Sequence, residues 1–561
     1  MASLYPKKIS GKTYWYLREM ARVDGKPKMV SERYLGTAAG IAAAMQARES
    51  AMLPGRTRHL AFGNVAAVWG LLSDLGVAAV IDEVSGARPG GLPLSPGTYL
   101  ALAALNRVVD PCSRRGFAHW WRTTAADRFT KISASVLDHR RFWDAMHAVT
   151  AGQLEEISHA IALRIVAESG LDCSSVALDM TNFATFIDTG NEKAPVAQRG
   201  KARQKRPDLR LAGLGLVVTR DGGIPLTWHA YPGDRPDVTQ FAAMVDQLCA
   251  RHAAIAAAAG QQPADMTVVF DAGQNSGDNF AHLAGTSPRY AGPVPASDCP
   301  DLTSLPASAR AVVDQDRFGA LTAFGTRRVV YGAERRAILT HSPELHESQA
   351  RGFDGTTLAK AGRKLDELAA TLARGKVEAE IEAITRKPWV RRVITWQLSG
   401  EQPRDLRLSW GIDPGARAAL EEEPFGKHVL ITDHDDWPVP EVIAGYRSQS
   451  EAESGFRQMK DPRVVSFSPM FHWTEHNIRV HTFTCVLALQ IAHLMRRRAA
   501  QAGLSLSVRE LLSQLAAIGE TVLIYPSAGG RPKARRKTTE LTGDQQQLYD
   551  IFDLGRYAAQ S

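Results

Sequence analysis

Asp179, Asp271 and Glu453 are the side chains of this sequence whose settings suit chemistry on an ion. Asp179 follows the apolar run Ser175-Val176-Ala177-Leu178, and Asp271 follows Thr267-Val268-Val269-Phe270. Each run reads as a buried strand that ends at its aspartate. A carboxylate there is costly to bury unless a positive partner meets it, and a divalent cation is the usual one. Glu453 lies in a polar helical segment where Tyr446, Glu453 and Lys460 recur every seven residues. Seven steps of an α-helix return within about 20° of the same face, so the three form one stripe flanked by Phe456 and Arg457. Few apolar residues accompany them, so core packing alone does not explain this helix. A carboxylate in line with a lysine and a tyrosine suits a metal site with a phosphate backbone lying over it.

The elements that must position these groups read as an α/β succession. After the first strand comes a charged excursion from Asp188 to Arg210, then strands Leu211 to Thr219 and Gly223 to Ala230, joined by the turn Asp221-Gly222-Gly223. A helix from about Val238 to Ala258 leads to the strand ending at Asp271. Three antiparallel strands, a helix and a parallel fourth strand is the order of an RNase H-like core. In that order the first and fourth strands are neighbours, so Asp179 and Asp271 can share an ion. The run Gly426 to Thr432 reads as the fifth strand of a mixed five-stranded sheet, followed by the helix bearing Glu453. Glu451, two residues from Glu453, points to another face and reads as solvated.

The remaining chain divides by composition. Residues 1–55 read as a small basic β-hairpin module able to dock on a DNA groove, or as the solvated surface of a small sheet. Residues 56–170 are helical, a possible DNA-end-binding domain. Within them Asp110-Pro111-Cys112-Ser113-Arg114-Arg115 reads as a plain helix cap, or as a helix start that touches phosphate. Residues 171–288 form the first half of the core, 289–425 an insertion domain, and 426–500 the second half. Residues 501–561 hold a C-terminal helix and a basic run, Arg531 to Lys537, that reads as a flexible tail. Lys201, Arg203, Lys205 and Arg206, in the excursion beside the proposed metal site, read as DNA contacts, or as a solvated loop.

Lys and Arg outnumber Asp and Glu by 67 to 59, a net charge of +8 that favours a polyanionic partner. The five cysteines show no C-x-x-C pair, which argues against a zinc ribbon and a disulfide scaffold. The N-terminus has no apolar signal region, and Phe483 to Met495 is too short to span a bilayer, so a cytoplasmic, nucleoid-associated protein with no membrane partner is expected. His472-Trp473-Thr474-Glu475-His476 fits H-x-x-E-H, a zinc-peptidase pattern, but lacks an evident third ligand.

Tyr446, Glu453 and Lys460 match the Tyr-(2)-Arg-(3)-Glu-(6)-Lys signature of bacterial DDE insertion-sequence transposases. The arginine position of that signature falls on Gln449, and the nearest arginine is Arg447. The settings Leu178-Asp179-Met180-Thr181 and Phe270-Asp271-Ala272-Gly273 resemble the two Asp motifs of the same group. The segment from Asp461 to Met495, with Pro469, His472-Trp473 and Arg479, resembles the region after its glutamate, and an insertion before the glutamate is a feature of the group. The resemblance implies a transposase in which Asp179, Asp271 and Glu453 hold two Mg2+ ions, with Mn2+ able to substitute. It implies cutting at the ends of an element and joining of the 3′-OH ends to target DNA. Tyr446, Arg447, Arg457 and Lys460 are then DNA contacts. The implied partners are double-stranded DNA, both terminal inverted repeats and target, and a second copy in a homodimer on that DNA. An RNase H-like nuclease that cuts without joining, and a DNA-binding regulator without chemistry, are the rival readings.

Overall fold

The computed structural model describes residues 2–559 except 24, 87–91, 189, 201–207, 263–265, 369–372 and 527–532, with backbone alone at 47–52. The chain forms two compact units, one of Met1–Gly70, Ala118–Ser135 and Arg509–Ser561, the other of Leu71–Phe117 and Val136–Val508.

In the first unit the expected hairpin is a three-stranded antiparallel sheet, Ala2–Ile9, Lys12–Val23 and Lys26–Gly36. Tyr34 packs against Tyr16 and Tyr14, with ring centroids 5.3 and 6.0 Å apart, and the Arg18 guanidinium lies 3.5 Å from the Tyr5 ring centroid. A second three-stranded sheet has Gly519–Tyr525 at its centre, between Arg56–Ala61 and Lys533–Thr538. The basic C-terminal run is therefore not a flexible tail where it is described. Its backbone is spent in a ladder from Lys533 to Thr538, and Arg536 is gripped by the buried carboxylate of Glu520. Glu520 also pairs with Arg128 at 2.6 Å.

The second unit is built on a mixed nine-stranded sheet. Its strands are β1 (Ser175–Thr185), β2 (Arg210–Thr219), β3 (Pro225–Pro232), β4 (Thr267–Phe270), β5 (Arg289–Val294), β6 (Ala311–Val312), β7 (Thr322–Val330), β8 (Ala333–His341) and β9 (Lys427–Thr432). They lie side by side as β6-β7-β8-β9-β5-β4-β1-β2-β3. Strand β4 runs parallel to β1 and to β5, and every other pairing is antiparallel. The apolar runs around Asp179 and Asp271 are wholly buried, as strands covered on both faces must be.

Three expectations need correcting here. The first strand does not end at Asp179 but continues to Thr185, because Met180 to Thr185 keep their ladder with β2. The sheet has nine strands rather than five. The strand beyond β4 is Arg289–Val294, not Gly426 to Thr432. Lys427–Thr432 lies one position further out as β9, antiparallel to β5, and joins it to the β7–β8 hairpin.

Helix α1 (Phe241–Ala258) packs on β2 and β3, and α2 (Val439–Arg447) on β4, β5 and β9. Helix α3 (Gln449–Lys460) packs on β1 and β2. The long α4 (Glu475–Gln501), long and apolar enough to cross a membrane by composition, is almost entirely buried within the protein. It packs against the helices Pro96–Val109, His139–His147 and Ala151–Ser169. Gly97 is required where Pro96–Val109 meets Val77–Ser85, because a Cβ there would lie 2.1 Å from the Ala78 carbonyl oxygen. Between β8 and β9 the chain builds a further apolar core around Phe353, Ile381, Val393, Leu406 and Phe425. The hairpin Ile394–Ser399 and Arg407–Ile412 contributes to it.

Candidate active site

The parallel register of β1 and β4 sets Leu178 opposite Phe270, so Asp179 and Asp271 each stand one step beyond a paired position. Asp179 remains in strand and its Oδ1 accepts a hydrogen bond from its neighbour's amide, Met180 N, at 2.8 Å. Asp271 is the first residue past β4, in extended backbone, exposed at the start of the short helix Ala272–Gln274.

Helix α3 is fixed along β1 at two points. Near its start Gln449 Nε2 donates to the Leu178 carbonyl at 3.0 Å, and at its end Lys460 Nζ donates to Thr181 Oγ1 at 2.5 Å. The Lys460 ammonium also lies 5.6 Å from the Phe183 ring centroid. Between the two anchors is Glu453, four residues after Gln449 and on the same side of the helix, with an exposed side chain. The helix is thus pinned on either side of Asp179.

Tyr446 does not share that helix. Helix α2 ends at Arg447 and α3 begins at Gln449, and the buried Ser448 turns its hydroxyl back onto the Gly445 carbonyl at 2.6 Å. A serine that bonds its own preceding turn interrupts a continuous helix. The seven-residue stripe therefore runs over two helices. Tyr446 still faces the same place. Burial pushes its hydroxyl up to about 12, and the negative charges of Asp271 and Glu453 act in the same direction. His428 of β9 joins this group, its ring centroid 6.4 Å from that of Tyr446. Burial lowers the pKa of His428, and the Asp271 charge partly offsets this. Nothing in the sequence marked His428, a lone histidine in an apolar strand.

Other expected contacts lie elsewhere. Arg447 is exposed, its guanidinium 4.8 Å from the Phe318 ring centroid, and Arg457 is exposed on α3. Lys201, Arg203, Lys205 and Arg206 fall outside the described residues. Glu451 is not simply a solvated residue: its half-buried carboxylate pairs with Arg496 at 2.7 Å, which ties α3 to α4. The H-x-x-E-H segment does not form a zinc helix. His472 precedes α4, whose cap is Thr474. Glu475 accepts from Val196 N and pairs with Arg479, while His476 is bonded to the Met146 carbonyl.

Asp179, Asp271 and Glu453 make an all-oxygen donor set, which fits a hard divalent cation such as Mg2+. As placed, no three His, Cys, Asp or Glu side chains among the described residues stand close enough to hold an ion.

Gln449 occupies the position that the transposase signature gives to arginine. Its bond to Leu178 backbone is buried, so Gln449→Ala is expected to lower stability by about 1 kcal/mol. A urea midpoint unchanged from wild type would remove Gln449 from its anchoring role.

The chain matches no protein-family model and no curated protein. Among solved structures it is similar to the piggyBac transposase synaptic complex with hairpin DNA, at 8% identity over 82% of each chain and a TM-score of 0.35, a likeness too distant to specify fold or function.

Proposed function

We propose that this chain is a DNA transposase of the DDE insertion-sequence kind, with Asp179, Asp271 and Glu453 as its catalytic carboxylates. The observation that carries the reading is the pinning of α3 across β1 by Gln449 and Lys460, which brings the Glu453 helix over the strand of Asp179 while Asp271 directly follows the adjacent parallel strand. The order β3-β2-β1-β4-β5, three antiparallel strands and two parallel ones, supports an RNase H-like core.

Two Mg2+ ions, when bound to these carboxylates, would activate the attacking oxygen and stabilise the leaving 3′-oxygen in an in-line displacement at phosphorus. The protein's own residues position the strands. Lys460, a cation whose Nζ sits on Thr181 two residues from Asp179, cannot ligate an ion and would meet a phosphate beside that carboxylate instead. Tyr446 keeps its hydroxyl proton and donates or packs at the terminal nucleotides. Arg447 and Arg457 present exposed charge to the DNA backbone. In the first unit, alternation along the strand puts Lys533, Arg535 and Lys537 on one sheet face, a basic ribbon for further phosphate contacts. Joining two ends needs two copies on DNA, in the cytoplasm of a cell whose nucleoid holds the element.

Lys460→Ala tests the helix directly. It should weaken binding of an end-containing duplex about tenfold near physiological salt and reduce the slope of log affinity against log salt by about 1. Lys460→Arg should recover part of the activity, since charge survives with different geometry. Equal salt curves for Lys460→Ala and wild type would make this lysine only a prop for Thr181.

A further inference from the structure

A cavity of about 710 Å³ opens in the second unit between Pro96–Val109, the loop after it, His139–His147 and the segment leading into α4. Its walls are unusual in charge. Arg107 and Arg114 line it, both more than nine-tenths buried, and none of the lining residues is acidic. Arg107 gives its Nη atoms to backbone carbonyls, at 3.2 Å to Ser466, 3.0 Å to Ser468 and 2.6 Å to Cys112, and its Nε is buried without a partner. Arg114 Nη1 is likewise buried and unpartnered, with its guanidinium 5.4 Å from the Phe142 ring centroid. His481 bonds the Phe467 carbonyl through Nε2 at 2.8 Å, which leaves Nδ1 buried and unpaired. Two buried guanidiniums side by side without a counter-charge are costly, and an anion removes that cost.

The electrostatics agree. Arg114 is pushed down to about 9, by burial first and then by the Arg107 charge. His472, also on the cavity wall, is pushed down to about 3 by burial and by the same two arginines. An incoming dianion reverses these shifts. The mouth is aromatic: Phe471, Trp473 and Trp143 are 63%, 54% and 37% exposed. Exposed aromatic faces beside a cationic recess are the means by which proteins hold a base next to its phosphate.

We propose that this cavity binds a nucleotide, with Arg114 and Arg107 on the phosphate and the base stacked on the aromatic mouth. The site stands apart from the three carboxylates and does not depend on cleavage. Phe467, to which His481 is bonded, stacks on Phe183 at 4.3 Å, and Phe183 in turn lies under Lys460. The nucleotide comes either from the end of a DNA strand or from the free pool.

Titration of the full chain in EDTA, without any cleavage, separates these cases. The probes are thymidine 5′-monophosphate, inorganic phosphate, thymidine, and a 5′-phosphorylated oligothymidylate. Thymidine monophosphate or the phosphorylated strand should saturate, and thymidine should bind at least tenfold more weakly than the better of them. Arg114→Gln should weaken that binding about tenfold or more. It should not lower the melting temperature, because it removes an unpaired buried charge. Trp473→Ala together with Trp143→Ala, both at exposed positions, should weaken nucleotide binding roughly fivefold or more and leave inorganic phosphate unchanged. If Arg114→Gln does not fold, this second variant decides. Tighter binding of the strand than of the mononucleotide identifies a DNA end, and the reverse order identifies a free nucleotide; either supports the site. No saturation by either, thymidine binding equal to its monophosphate, or full binding by a folded Arg114→Gln or by the double tryptophan variant would overturn it. Such a failure leaves the carboxylate assignment untouched, since no variant or condition here tests cleavage.

Discussion

Asp179→Asn, Asp271→Asn and Glu453→Gln should each reduce Mg2+-dependent cleavage of end-containing DNA by more than roughly 100-fold. Residues one bond further from a metal already cost 10–100-fold when changed, and these are the proposed ligands themselves. DNA binding should stay within a few-fold of wild type, because the proposal rests it on cations elsewhere, among them Lys460, Lys533, Arg535 and Lys537. Folding should persist as well. Asp271 and Glu453 are exposed, and the amide variants keep their shape. Asp179 accepts from Met180 N, and the side-chain oxygen of asparagine can do the same. Gel-shift and cleavage assays on one preparation of each variant separate the two effects. Near-normal cleavage by any one of the three removes that residue from the site.

Glu520→Ala should cost about 3 kcal/mol of stability, the effect of removing one partner of a buried ion pair. The Glu520 side chain is 3% exposed and holds Arg128 at 2.6 Å through Oε2 and Arg536 through Oε1. Arg128 also donates to the Tyr557 carbonyl at 2.7 Å, so this one carboxylate organises several segments of the first unit. A lowered urea midpoint, with the basic strand Lys533–Thr538 losing amide-exchange protection, is the expected result. An unchanged midpoint would mean that the sheet holds without its buried charge.

The β-branched runs before Asp179 and Asp271 were legible because a strand buried on both faces must be apolar throughout. The helix at Val238 to Ala258 and the two strands before it were legible from their own periodicity and the turn between the strands. The fifth strand was not. Arg289–Val294 carries two glycine- and proline-bearing positions, Gly292 and Pro293, so propensity counts against it, while Lys427–Thr432 reads as an ideal strand. Position in the sheet is set by pairing, and a strand's own composition does not declare its neighbours. The break at Ser448 was hidden because a serine inside a polar helical segment leaves the seven-residue spacing intact. The roles of His428 and Thr181 escaped notice for a different reason. Each meets the site through tertiary contact alone, with no spacing or composition to mark it. The signature marked Gln449 by position, but nothing in the sequence announced its bond to Leu178. The ion pair of Glu451 with Arg496 was equally invisible, since its partner lies in another helix.

The most direct test is a joining reaction. Purified protein, DNA that flanks its reading frame on both sides, a target plasmid and Mg2+ are incubated together, and the products are sequenced. The account predicts element ends joined through their 3′-hydroxyls to target DNA, bounded by a short direct duplication after repair, with Mg2+ or Mn2+ required. Ends that are cut but never joined would reduce the protein to a nuclease. Ends that are bound yet never cut under any divalent cation would contradict the account and leave a DNA-binding regulator.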